Sequence, residues 1–156
     1  MKVFCLNQSA QIPELNSVSK FFELKSNFYS ANQKITVVNP LNKETYTTVK
    51  NNYNKLNIQV YPQQRAIIPT GLKFEIPKNH VLKIIPFPHI GMKKGLTLTH
   101  GIEYFFSDYD NELFITLSNI SDAVAWIDDN ETIAYAVLEK SPSYKLEDGV
   151  TESVET

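Results

Sequence analysis

At 156 residues and 17.8 kDa the chain fits one compact domain with attachments and is short for two. A formal net charge of −2 and a sequence pI near 5.9 argue against a mainly electrostatic grip on nucleic acid or on an anionic membrane. Of the fifteen basic residues only Arg65 is an arginine, so forked donors for phosphate or carboxylate are almost lacking. The single cysteine, Cys5, excludes an intramolecular disulfide and a cysteine-based zinc site, and it reads as a small apolar residue of the first strand. The N-terminus, Met1-Lys2-Val3-Phe4-Cys5-Leu6-Asn7, lacks the long apolar run of a signal peptide, and no stretch reaches the length of a membrane span. The expectation is a soluble protein without membrane contact, cytoplasmic or carried in a virion.

In chain order, the start from Met1 to Pro13 is followed by Phe22-Glu23-Leu24 and then by a stretch from Asn32 to Asn57 rich in Asn, Lys and Thr. Within it, Ile35-Thr36-Val37-Val38 and Thr45-Tyr46-Thr47-Thr48-Val49 flank Asn39-Pro40-Leu41-Asn42, which predicts an inserted hairpin projecting from the domain. Alternation with period two then marks Ile58-Gln59-Val60-Tyr61, Leu72-Lys73-Phe74-Glu75-Ile76 and Leu113-Phe114-Ile115-Thr116-Leu117 as strands. Pro62-Gln63-Gln64, Pro77-Lys78-Asn79 and Ser118-Asn119 supply turns between them. Asp129-Asn130-Glu131 reads as a turn before a late strand reaching Leu138. The pattern predicts an all-β sandwich or barrel over residues 1–140, with an insertion at about 32–57 and a polar extension over 141–156. The 32–57 insertion together with the 141–156 extension is expected to form the main partner-binding surface, and since insertions into surface loops cost little, shortening 32–57 is expected to leave the fold intact while weakening partner capture.

The block Arg65-Ala66-Ile67-Ile68-Pro69-Thr70-Gly71-Leu72-Lys73-Phe74-Glu75-Ile76-Pro77 resembles a strand pair of the trimeric dUTPases, and Pro86 to Leu138 follows the pattern of that superfamily without a gap. The resemblance implies a dUTPase-like β-barrel or jelly roll and a homotrimer. It also places this chain's residues at the positions of the family's motifs. The first-motif aspartate, which holds magnesium through water, becomes Glu23. The phosphate-binding arginine and serine of the second motif become Phe87 and Pro88 in Pro86-Phe87-Pro88-His89. A shifted register, Pro88-His89-Ile90-Gly91, restores the motif's glycine but neither of those side chains.

In the third motif Phe106 takes the place of the aspartate that activates water, while the sugar-packing tyrosine is kept as Tyr109. A phenyl ring accepts no proton. Asp108 corresponds to a non-catalytic position, two residues along what is expected to be a strand. In the fourth motif Thr132 and Tyr135 replace arginine and glutamine within Asn130-Glu131-Thr132-Ile133-Ala134-Tyr135. The glycine-rich fifth motif is absent, Gly149 being the only glycine after Gly101.

Other features take plainer readings. His80, His89 and His100 match no metal-ligand spacing and are expected near turns. Asp128, Asp129 and Glu131 read as a solvated turn, Phe105-Phe106 as core or intersubunit packing rather than a stacking platform, and Trp126 as a core or trimer contact. A retained nucleoside pocket would involve His100 and Tyr109. No cofactor and no metal are expected.

The resulting expectation is a catalytically inactive dUTPase-fold protein, a pseudoenzyme serving as a structural or interaction subunit. Its protein partner would be a capsid or other viral protein, as in a trimer that decorates a capsid. The alternatives are a nucleotide-binding protein that senses or sequesters without cleaving, and an active dUTPase using unfamiliar residues.

Overall fold

The computed structural model describes residues 1–150 of the chain. It contains fourteen strands and one short helix. The strands are β1 (Lys2–Cys5), β2 (Phe22–Lys25), β3 (Lys34–Val38), β4 (Glu44–Thr48), β5 (Lys50–Asn52), β6 (Lys55–Val60) and β7 (Arg65–Pro69). After these come β8 (Leu72–Glu75), β9 (His80–Pro86), the helix α1 (Pro88–Lys94), β10 (Leu96–Leu98), β11 (Glu103–Phe106), β12 (Phe114–Asn119), β13 (Ala125–Asp128) and β14 (Thr132–Lys140). All recorded pairings are antiparallel. They form sheets in the orders β10-β12-β7-β3-β4, β11-β9-β14-β2, β13-β6-β5 and β1-β8. The expected all-β architecture is what the chain adopts.

The alternating runs do what their period dictates. Ile58 and Val60 of β6, Leu72 and Phe74 of β8, and Ile115 and Leu117 of β12 all turn into one continuous core. The turn Pro69-Thr70-Gly71 ties the sheets together. Thr70 donates its hydroxyl to the Leu113 carbonyl at 2.6 Å, and the Gly71 amide donates to Glu112 Oε2 at 2.9 Å. Gly71 holds φ +68°, and a Cβ there would meet Asn27 Oδ1 at 2.5 Å, so only glycine fits.

Two expectations need correction. The hairpin within 32–57 does form, Ile35 facing Thr47 and Val37 facing Thr45, but it does not project. Strand β3 also pairs with β7, Val37 opposite Ala66, and Ile35, Val37, Val49 and Ile58 lie in the core. The Asn-rich composition marks the polar outward face and the turn, not a dispensable segment. Cys5 does lie in β1, but it is exposed. Strand β1 pairs only with β8, so only Val3 among its residues reaches the core. Residues 141–150 carry no regular structure, and the remainder of the expected extension, 151–156, lies outside the described residues. No helix among the described residues is long and apolar enough to cross a membrane.

Candidate functional site

Four of the motif positions meet at one corner, where the last strand runs between β9 and β2. Tyr135 stands opposite Ile85 on one side and Glu23 on the other. Along β14 the small residues Ala134 and Ala136 point into the core, so the intervening Tyr135 points outward, and Glu23 does the same between buried Phe22 and Leu24. The Thr132 hydroxyl donates to the Glu23 carboxylate. Phe87 follows β9 directly, and its ring meets Tyr135 edge-on at 5.2 Å and 84°. Phe21 lies 6.1 Å from Tyr135 on another side, and His89 lies 6.0 Å from Phe87. The positions the resemblance assigns to phosphate-binding arginine and glutamine thus touch each other as an aromatic pair.

Helix α1 holds that corner in place. Pro88 opens it, since a proline at the first helical position forfeits no hydrogen bond, and Gly95 closes it at φ +67°. Lys94 in its last turn reaches the Trp126 carbonyl at 2.6 Å and both carboxylate oxygens of Glu131 at 2.7 and 2.8 Å. Glu131 in turn accepts the Asp128 amide at 2.9 Å. The acidic turn expected at 128–131 is therefore a tied junction rather than a merely solvated one. Ser26 reinforces it by donating to the Asp128 carbonyl at 2.6 Å, and Asp129 accepts the Phe28 amide at 2.8 Å. A cleft of about 340 Å³ opens beside the corner between β2 and residues 9–14, with Glu14, Glu23, Lys25 and Asn130 on its walls.

The other motif positions gather at a second corner around β11 and the turn after it. Phe105 is buried, whereas Phe106 is 55% exposed. Tyr109 packs edge-on against Phe105 at 4.7 Å and donates its hydroxyl to the Glu112 carbonyl at 2.7 Å. Burial, and then the carboxylates of Glu103 and Glu112, push its phenol above the ordinary tyrosine value of 10.0. His100 Nδ1 lies 3.3 Å from Glu103 Oε2, the same carboxylate whose charge acts on Tyr109.

The turn is dense in carboxylates. Asp110 pairs with Lys73 at 2.6 Å and Glu112 is held by Gly71, while Asp108 is exposed. Strand β11 ends at Phe106, so Asp108 lies on the turn and the alternation that argued against it does not apply. Among the described residues no group of three or more His, Cys, Asp or Glu side chains converges as a metal cage. His80 and His100 border turns as expected, but His89 lies on α1. Trp126 is 42% exposed on β13, outside the core.

The two corners lie apart on one sheet. Phe106 faces Val81 at one end of β9, and Tyr135 faces Ile85 near the other. Two strand spacings and a four-residue rise separate them, roughly 15 Å. Sequence reasoning named most of these positions but missed Phe21 and Lys94, which lie over a hundred and nearly forty residues from their partners. The outward alternation of Tyr135 was the only local signal.

These observations define the class as an all-β protein of four antiparallel sheets around one core. No protein-family model matches the chain. A "Deoxyuridine 5'-triphosphate nucleotidohydrolase" of Finegoldia magna is 31% identical over 108 residues, which cover 65% of this chain and 74% of that protein. One of Chlamydia pneumoniae, named alike, is 37% identical over 81 residues, 52% of this chain and 56% of the relative. The match thus spans little more than half of the latter's length. Among solved structures, the dUTPase of Staphylococcus bacteriophage 80alpha superposes with a TM-score of 0.69 at 16% identity, covering 99% of this chain and 97% of that one. A Streptococcus mutans dUTPase gives 0.66 at 16% identity, covering 96% and 100%. The chain belongs to the deoxyuridine 5'-triphosphate nucleotidohydrolase, or dUTPase, family.

That membership overturns the expectation of a catalytically inactive structural or capsid-decorating subunit, and with it the non-hydrolysing sensor. The curated relatives are named as hydrolases of dUTP. Loss of a side chain at one motif position does not by itself remove its role where neighbours can carry it, and the 103–112 region holds four carboxylates.

Proposed function

We propose that the chain is a nucleotidohydrolase acting on dUTP or a closely related deoxynucleoside triphosphate. The observation that carries the reading is the 31% identity to the Finegoldia magna protein over 74% of its length. Hydrolysis requires water to add to a phosphorus of the triphosphate while an anhydride P–O bond breaks, with a base to take the water's proton. Asp108 is assigned that role, because Phe106 has no acceptor while Glu103, Asp110 and Glu112 are engaged by His100, Lys73 and Gly71. Tyr109 packs the sugar.

Magnesium asks for only one or two carboxylates besides the substrate's phosphates. The exposed Glu23 at the cleft would supply one such carboxylate, while Lys25 beside it repels a cation and would instead meet a phosphate directly. We read residues 1–140 as the domain that does this, working as a homotrimer in which the 107–112 turn of one copy faces the Glu23 corner of another. The separation of the two corners within one chain supports that arrangement.

The test is product release from dUTP, dCTP, dTTP and dATP with magnesium. Turnover fastest on dUTP, lowered at least a hundredfold by Asp108→Asn with the thermal transition unchanged, is expected. Wild-type protein that leaves all four intact refutes the reading.

A further inference from the structure

We propose that Thr132 and Lys94 are positioning residues for Glu23: Thr132 holds the carboxylate directly, and Lys94 fixes the bulge from which Thr132 projects. The proposal deepens the nucleotidohydrolase reading and rests on it for the task of Glu23, the carboxylate that meets magnesium.

The bulge is visible in the ladder between β14 and β2. Ala134, Tyr135 and Ala136 face Leu24, Glu23 and Phe22 in regular register, which continued would bring Thr132 opposite Ser26. Instead the register shifts between Thr132 and Ala134, and Thr132 stands opposite Lys25, one residue nearer Glu23. Ile133 and Ala134 are both fully buried, although neighbours along a regular strand face opposite sides. A bulge re-aims the side chain beside it. Here it brings the Thr132 hydroxyl onto the Glu23 carboxylate.

That contact decides which way Glu23 turns. Glu23 and Lys25 lie on the same outward face of β2, two residues or about 7 Å apart, within reach of two long side chains. Left to itself the carboxylate would swing to the ammonium and be neutralised by it. Among the described residues Glu23 takes part in no ion pair. Held by Thr132, it keeps its charge for a cation and leaves Lys25 for a phosphate. Carboxylates that ligate metals are oriented by hydrogen bonds of this kind.

The bulge needs support from outside the ladder, because pairing is disrupted there. Glu131, the residue before Thr132, supplies it. Its carbonyl accepts the Ser26 amide at 2.9 Å and its amide donates to Ser26 Oγ at 3.1 Å. Its carboxylate accepts the Asp128 amide and both contacts from Lys94. The Lys94 and Glu131 side chains are 26% and 23% exposed, whereas each other lysine–carboxylate pair among the described residues leaves one partner far more open. A sheltered pair is screened less and holds its geometry better than a surface one. Lys94 is itself fixed, since the Gly95 carbonyl accepts the Ile120 amide at 2.9 Å and a Cβ on Gly95 would meet Ser121 Cβ at 2.6 Å.

The experiment reads Glu23 without any nucleotide, so that its failure and a failure to hydrolyse dUTP are separate results. In the full-length protein labelled with 13C and 15N, three-bond couplings report the χ1 rotamer of Glu23, and manganese(II) added alone broadens the amides around the carboxylate that binds it. A single Glu23 rotamer and saturable broadening at residues 22–25 are expected of the parent. Thr132→Val and Lys94→Gln should each average the Glu23 rotamers and weaken manganese binding about tenfold, while Thr132→Ser and Lys94→Arg stay within about twofold of the parent. A role confined to stability would lower the thermal midpoint and leave couplings and manganese affinity unchanged. That result in either variant overturns the role given to its residue, and so does rotamer averaging with manganese affinity intact. Manganese that broadens no residue of β2 in the parent overturns the whole proposal together with the metal task of Glu23. If manganese binds there as expected but dUTP is left intact, the positioning stands and only the hydrolysis falls. Should Lys94→Gln fail to fold, Glu131→Gln, which keeps an acceptor for the Asp128 amide but no charge for Lys94, decides its part by the same two measurements.

Discussion

At the scale of single residues, Tyr109 shows how a retained side chain acquires a structural duty. Its hydroxyl donates to the Glu112 carbonyl, and burial with two nearby carboxylates raises its pKa above 10.0. The folded state therefore holds the proton more tightly than the unfolded chain. The associated stability is fully present below about pH 10, where both states are protonated, and is lost as pH rises through the folded value. Thermal unfolding followed from pH 8.5 to 11.5 should show a decline beginning near pH 10 that Tyr109→Phe removes in part. Equal slopes for the two proteins would sever the link. The identity of Tyr109 was legible in the sequence, but its partners were not, because Phe105 and Glu103 approach it only through the fold of the turn.

At the scale of elements, the hairpin of β3 and β4 separates what composition suggests from what packing requires. Alternation predicted both strands and their pairing. Composition suggested an appendage, because Asn, Lys and Thr dominate the outward face. The inward face carries Ile35 and Val37, and Val49 and Ile58 complete the contact. Burying each such side chain is worth about 1.5–3 kcal/mol, against a total stability of about 5–15 kcal/mol for a small domain. Replacing 32–57 by a Gly-Ser linker should thus abolish the cooperative thermal transition, while shortening only the Asn39–Lys43 turn should lower the midpoint by a few degrees. A linker variant that melts like the parent would restore the view of the segment as an insertion. The helix α1 was also illegible, since seven residues with one buried apolar side chain give no amphipathic signal.

At the scale of the whole molecule, exposed Phe4, Leu6, Tyr104, Phe106 and Trp126 are more aromatic and aliphatic surface than a lone barrel needs. A three-fold assembly is consistent with the dUTPase fold and would cover part of it. Light scattering should give about three times 17.8 kDa. Mixing Asp108→Asn chains with Glu23→Gln chains should recover part of the hydrolytic activity that each has lost, because some interfaces then pair two intact corners. No recovery after confirmed subunit exchange would place the whole site within one chain. By itself the sequence determined the strand pattern, the all-β class and the family, since period two and turn chemistry are local and the motif order is linear. Only the tertiary structure decided that β3 belongs to the core, that Asp108 sits beyond its strand, and that Phe21, Phe87 and Tyr135 share one surface. Those facts depend on pairings between residues as much as a hundred and more positions apart, which no local period encodes.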